Sequence, residues 1–348
     1  MSQEDDILVI DGLSKKFGDH QVLNSISMKV KEGAVFGFIG QNGAGKTTTM
    51  KNILGLMKPD EGTITVCGKK VTYGQNVTNQ YIGYLPDVPE FYPYMTASEY
   101  LGLCADITGI AGIEKKNRIE EMLTLVGLAD VRHKVGTYSR GMKQRLGIAQ
   151  ALLNHPRLLI CDEPTSALDP VGRKEILDIL KKSGTTVIFS THILSDVERI
   201  CDTVAVLHQG KIVLEGDLQL LKEQNATDTV FIEFANESEK LRWKKANSFN
   251  IDNEIDKRIG TDSNVDGTLY SPDQQSKEQK SKERRNKDQQ DKEGWIVQET
   301  EDSVILHMKA DITMRNTLLR MIADQGILIK KFEMQEPTLE NIFMEAVQ

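Results

Sequence analysis

The segment Gly40-Gln41-Asn42-Gly43-Ala44-Gly45-Lys46-Thr47 has the residue types and spacing of a phosphate cradle, GxxxxGK[ST]. Glycines let backbone N–H groups close around phosphate oxygens, and the first turn of a following helix adds partial positive charge. A lysine at this place reaches the β- and γ-phosphates, and the next hydroxyl is placed to ligate Mg²⁺. Lys46 and Thr47 hold those two positions. A second candidate is Leu158-Leu159-Ile160-Cys161-Asp162-Glu163, an apolar run that ends in two carboxylates. Alone, such a pair could be a solvated turn. Beside a phosphate cradle, Asp162 would hold Mg²⁺, directly or through water, and Glu163 could polarise an attacking water.

These groups need a scaffold that brings distant segments to one edge. Residues 34–39 form an apolar strand pattern ending in glycine, and 46–56 follow with a helical one. Residues 158–161 and 185–190 read as buried strands, separated by a helix with Ile176, Leu177 and Leu180 on one face. Such alternation implies a parallel sheet with crossover helices, whose carboxyl edge carries the site. Residues 7–27 alternate like sheet, and 204–214, with Gln209-Gly210 at the centre, read as an antiparallel hairpin.

Composition narrows the function classes. The chain has 348 residues, 43 Lys+Arg against 51 Asp+Glu, a net charge of −8, and 39% hydrophobic residues. That length suits about two domains at ~150 residues each. The acidic balance argues against a general nucleic-acid binder. The longest apolar stretch, 34–40, is seven residues, far short of the ~20 a membrane helix needs. The opening MSQEDDILVI is acidic where a signal peptide would be basic. No CxxC occurs among Cys67, Cys104, Cys161 and Cys201, and no two of the six histidines stand at HxxxH spacing. Cys161 reads as a small buried hydrophobe. The expectation is a cytoplasmic chain with reduced thiols and no metal cluster.

Farther along, residues 271–293 hold no aliphatic or aromatic residue, and seven basic side chains nearly cancel six acidic ones. Such a stretch buries too little apolar surface to offset its ordering entropy, so disorder or a solvated helix is expected. The polar zone runs from about 236 to 294. Around it, 229–235, 295–300 and 303–309 read as strands, 312–324 as a helix, 327–333 as a strand and the segment after Pro337 as a helix. That order suits a small α+β domain of ferredoxin-like type, with the polar zone as an insertion.

Tyr138-Ser139-Arg140-Gly141-Met142-Lys143-Gln144-Arg145-Leu146, with Ser139 placed 23 residues before Asp162, resembles the signature motif of ABC-transporter ATPases in its export-type form. Ser166-Ala167-Leu168-Asp169 resembles the D-loop of that family, and Thr191-His192 its switch-histidine loop. The resemblance covers about 5–216, and the closing Glu336-Pro337-Thr338-Leu339-Glu340-Asn341-Ile342-Phe343 is similar to the C-terminal end of export-type subunits. It implies a P-loop NTPase core of α/β class, with an antiparallel β subdomain and a helical subdomain at about 88–155. The ATP-binding domain would span 1–220 and the accessory domain 221–348. It further implies that two such subunits, identical or different, sandwich ATP head to tail.

The remaining site roles follow from the resemblance. Phe17 would stack on adenine, while Gly40, Asn42, Gly43, Ala44, Gly45, Lys46, Thr47 and Thr48 would hold the phosphates. Ser139 and Gly141 would face the partner's γ-phosphate, Asp169 would lie at the dimer interface, and His192 would sense the γ-phosphate. Three positions depart from the family pattern: Arg140 replaces a glycine and Met142 a glutamine in the signature segment, and Asp87 stands where a glutamine near Mg²⁺ is usual. Asp87 could still reach the metal through water. Phe91, Tyr92 and Tyr94 lie where the family receives a helix of the membrane-spanning partner, or else they are local core. The expectation is an ATP-hydrolysing subunit peripheral on the inner face of the cell membrane, powering export through a separate permease.

Rival functions fit less well. A soluble ABC-type ATPase of translation or DNA repair would show two fused units or a long coiled coil. Lys46 and Asp162 are 116 residues apart with no heptad run between them. A GTPase would need NKxD, which is absent from the sequence. A regulatory module without hydrolysis would have no use for Glu163 and His192.

Overall fold

The computed structural model describes residues 6–224, 228–247, 298–299, 303–308, 312–335 and 338–347. The chain forms two compact units, Met1–Leu221 with Leu339–Gln348, and Lys222–Thr338.

In the first unit, β1 (Asp6–Phe17), β2 (His20–Lys31), β4 (Glu61–Val66) and β5 (Lys69–Lys70) make an antiparallel sheet in the order β2-β1-β4-β5. The central sheet has six strands: β3 (Val35–Ile39), β6 (Ile82–Leu85), β7 (Leu158–Asp162), β8 (Thr186–Thr191), β9 (Thr203–His208) and β10 (Lys211–Asp217). Their order is β10-β9-β3-β8-β7-β6, parallel except for β10, which pairs antiparallel with β9. The β9–β10 turn needs left-handed backbone at two successive residues, and Gln209 (φ 46°) and Gly210 (φ 75°) supply it.

Side-chain alternation explains why both faces of this sheet are covered. Val35 and Ile39 of β3, with Val187 and Phe189 of β8, enter one apolar core. Phe36 and Phe38, with Ile188 of β8 and Ile160 of β7, enter the other. The second core is closed by β1, β2 and α1 (Lys46–Ile53). The first is closed by helices: α2 (Ala97–Thr108), α3 (Gly112–Leu125), α4 (Arg140–Leu152), α5 (Pro170–Lys182), α6 (Leu194–Ile200) and α7 (Leu218–Gln224).

In the second unit, β11 (Asp228–Phe234), α8 (Glu237–Asn247), β12 (Gln298–Glu299), β13 (Ser303–Met308), α9 (Ile312–Asp324) and β14 (Ile329–Gln335) follow in sequence. The sheet order β12-β13-β11-β14, all antiparallel, gives βαββαβ with the first strand inside. That is the ferredoxin-like arrangement expected from the sequence. Alternating Val230, Ile232 and Phe234 pack with Trp243, Leu318 and Ile322. Of the polar zone, 237–247 is helical, while 271–293 lies outside the described residues.

The closing helix, α10 (Leu339–Val347), belongs to the first unit although the sequence reading placed all of 221–348 in the accessory domain. Leu339 and Ile342 are buried there, and the Leu339 N–H donates to a Glu198 carboxylate oxygen at 2.7 Å, so α6 caps α10.

Candidate functional site

Strand register assembles the site. β8 lies between β3 and β7, with Ile39 opposite Thr191 and Ser190 opposite Asp162. The exits of these three strands therefore meet: the 40–45 loop after β3, Glu163 after β7 and His192 after β8. Gly45 opens α1 at φ 111°, and a Cβ there would stand 2.7 Å from Leu23 Cδ2, so only glycine fits.

Lys46 is buried, with its ammonium group held within the site. Nζ donates to Gly40 O at 2.6 Å and Gln41 O at 3.2 Å, and pairs with Glu163 Oε1 at 3.1 Å. The other Glu163 oxygen, Oε2, meets His192 Nδ1 at 2.9 Å. Glu163 thus bridges two groups that would touch a γ-phosphate, and it does so from left-handed backbone (φ 48°). For a non-glycine residue that conformation costs ~1–2 kcal/mol, and it aims the carboxylate back over the loop.

Asp162 is held as tightly. Thr47 Oγ1 donates to its Oδ2 at 2.8 Å, and Ser190 Oγ donates to its Oδ1 at 2.6 Å. Ser190 Oγ also accepts the Glu163 N–H at 2.9 Å. One buried hydroxyl therefore fixes both carboxylate residues. Nothing in the 40–48 motif signals Ser190. The signal lies in its own strand, where a serine interrupts the buried run of β8 and so requires a polar partner. Cys161, fully buried, has its thiol pushed above the usual range by burial and by the neighbouring Asp162 charge, which makes it core rather than nucleophile.

The other expected site residues lie at the edges. Phe17 ends β1 with its ring half exposed, and Lys15 Nζ stands 5.6 Å from the ring centroid. Ser139 caps α4, its Oγ accepting the Met142 N–H at 3.2 Å, and Asp169 caps α5, accepting the Gly172 N–H at 2.8 Å. Among the described residues no hydrogen bond joins 139–141 to the 40–48 loop and helix. Asp87 is not joined to Thr47 or Asp162. Its Oδ1 accepts from Ser166 Oγ at 2.5 Å and stands 3.7 Å from Arg140 Nη2. Phe91 packs edge-on to Tyr100 at 5.0 Å, while Tyr92 and Tyr94 are exposed.

A cavity of about 320 Å³ opens beside the loop, lined by Ile39, Gly40, Gln41, Asn42, His192, Leu194 and Phe343. Phe343, from α10, borders it although no motif around that residue signals the site.

Comparison with known proteins fits this geometry. Residues 23–166 match the ABC transporter family, and 277–347 match the C-terminal domain of DrrA1-3-like ATP-binding proteins. The chain is similar to the ABC transporter ATP-binding protein YxlF of Bacillus subtilis (strain 168), 44% identical over 225 residues that cover 64% of this chain and 75% of YxlF. The chain belongs to the family of ABC-transporter ATP-binding proteins. This ATPase is also similar to the bacitracin transport ATP-binding protein BcrA of Bacillus licheniformis, 43% identical over 224 residues covering 63% of this chain and 72% of BcrA. Among solved structures it resembles cbiO1 of Clostridium perfringens, part of the ABC transporter complex cbiONQ, with TM-score 0.59, 30% identity, and coverage of 64% of this chain and 94% of that one. The chain is thus the ATP-binding and ATP-hydrolysing subunit of an ABC transporter. Among the described residues no helix is long and apolar enough to cross a membrane.

Proposed function

We propose that this subunit works peripherally on the inner face of the cell membrane and powers export through a separate permease. Two copies, or this chain with a related one, close head to tail around ATP. The single observation that carries the reading is the carboxylate pair at the exit of β7. Asp162 is tied to the phosphate-loop helix through Thr47, and Glu163 lies between Lys46 and His192.

The donor set fits Mg²⁺. A threonine hydroxyl and a carboxylate are hard oxygen ligands, and Mg²⁺ typically takes only one or two from protein and the rest from water and phosphate. Thr47 and Asp162 would hold it, and bound there it would neutralise charge on the phosphate oxygens. The chain's own residues do the rest. Backbone N–H groups of 43–48 bind the phosphates, Phe17 offers its exposed ring to the adenine, and Lys46 exchanges Glu163 for phosphate oxygen. That exchange frees the Glu163 carboxylate to accept a proton from the attacking water. His192 keeps contact with Glu163 and reads the γ-phosphate. Ser139 and Gly141, unattached to their own loop, face the second subunit, with Asp169 at the shared interface.

The test is Glu163→Gln, which keeps the shape of the side chain and removes the base. The variant is expected to bind ATP, to remain a dimer in gel filtration when ATP is present, and to lose turnover. Hydrolysis at the wild-type rate by this variant would refute Glu163 as the base.

A further inference from the structure

One cluster outside the catalytic edge joins three segments that neither nucleotide binding nor catalysis has yet used. Residues 140 and 144 are one turn apart on α4 and share a face. Gln144, fully buried, donates through Nε2 to Asp87 O at 3.1 Å and to Pro164 O at 3.2 Å. One turn earlier, Arg140 Nη2 donates to Ser166 Oγ at 3.4 Å and stands 3.7 Å from Asp87 Oδ1. Ser166 Oγ closes the triangle, donating to Asp87 Oδ1 at 2.5 Å, a length typical of a charged acceptor. The segment after β6 and the turn after β7 are therefore tied to α4 twice, through backbone carbonyls at Gln144 and through side chains at Arg140.

That turn is the one that carries the catalytic base, and the Ser166 N–H donates to Glu163 O at 3.0 Å. Arg140 and Asp87, two of the positions at which this sequence departs from the usual family pattern, face each other across it. Their side chains are 47% and 48% exposed. An exposed pair at such a distance adds little to stability. Its effect lies in where it holds Ser166, and with it Glu163.

We propose that Asp87 is a positioning residue. Held by Ser166 and Arg140, its carboxylate fixes the Glu163 turn against the first turn of the signature helix, and so sets the rate of hydrolysis rather than the binding of metal. The inference rests on the ATPase reading above, and its test separates the two.

Steady-state ATP turnover of the full chain is measured across ATP and Mg²⁺ titrations for the wild type, Asp87→Asn, Asp87→Ala, Arg140→Ala and the double alanine variant. Asp87→Ala is expected to lower kcat about tenfold, the scale of a small misplacement of a reacting group, with KM for ATP and half-saturating Mg²⁺ within about twofold. Asp87→Asn still accepts from Ser166 and should keep most of the rate. The double variant should fall no further than Asp87→Ala, because both substitutions break one shared contact. If Asp87→Ala does not fold, Ser166→Ala with Arg140→Ala carries the same cycle, because Ser166 Oγ is bonded to both Asp87 and Arg140. A shift of more than about fivefold in half-saturating Mg²⁺, with kcat restored at high metal, would make Asp87 a metal-side residue and overturn the proposal; multiplying losses in the double variant would overturn it too. Absence of turnover in the wild type would instead sink the ATPase reading, and the proposal with it.

Discussion

The phosphate-loop edge and the signature edge of this ATPase differ in how far each is completed by its own chain. At the first, functional side chains hold one another: Thr47 and Ser190 on Asp162, Lys46 and His192 on Glu163. Lys46, Asp162 and Ser190 are 6%, 4% and 0% exposed. At the second, Ser139 and Asp169 are occupied only in capping their own helices, and Arg140 is half exposed. Donors fixed before the reaction cost no reorganisation when charge develops. Groups that must meet a second molecule have to stay accessible instead. In the function proposed above, the first edge serves the chemistry and the second the encounter with another subunit.

Ser190→Ala should break the first edge most severely among changes that touch no nucleotide. It removes the hydroxyl that joins Asp162 to the Glu163 N–H, and a hydrogen bond to a charged group contributes about 1.5–3 kcal/mol. Urea unfolding should show a loss of that size, and turnover should fall well beyond it in proportion, since both carboxylate residues lose their anchor. Ser190→Thr retains the hydroxyl and should recover part of each. An unchanged rate in Ser190→Ala would mean that the edge does not depend on its internal bonds. Ser139→Ala should act differently. Losing an N-cap costs roughly 1 kcal/mol, and ATP affinity of the single subunit should stay at the wild-type value. ATP-dependent dimer formation in the Glu163→Gln background should weaken. If nucleotide affinity and dimerisation fell together, the two edges would not be separable.

The sequence made the first edge legible because its chemistry is local. The spacing of Gly40, Gly45 and Lys46 reflects backbone geometry within one loop, and an apolar strand ending at Asp162 needs no knowledge of its neighbours. Ser190 was missed because its role depends on the β7–β8 register, which no single strand encodes. The partners of Asp87 come from two other segments, so its position suggested metal while its contacts are Ser166 and Arg140. For α10, Leu339, Ile342 and Phe343 repeat at helical spacing and so announce a buried face. Nothing in that pattern says that the face returns to the first unit, against α6 and beside His192. In the second unit the order of elements was readable from alternation, and the strand order followed from pairing that alternation alone does not specify.

The smallest effect belongs to the helical part that carries the signature edge. Glu99, in the first turn of α2, forms a capping box with Thr96. Its carboxyl is held down to about 2, first by the Thr96 backbone N–H and then by the Lys134 ammonium and the Thr96 hydroxyl. A depressed carboxyl stabilises the fold only where it is ionised. The contribution is therefore complete above the ordinary value of about 4.5 and disappears as pH falls toward about 2. Glu99→Gln keeps an acceptor for the cap but removes the charge. Amide exchange at Thr96 and along the first turn of α2 should speed up slightly in the variant at neutral pH. The exchange, corrected for its intrinsic pH dependence, should then be flat across the acid window in which the wild type changes. An identical acid profile in both proteins would mean that Lys134 and the cap do not act through the charge. A change confined to this turn, leaving ATP turnover untouched, would show that the signature edge tolerates loosening of its support, as a surface for encounter should and a prearranged catalytic edge should not.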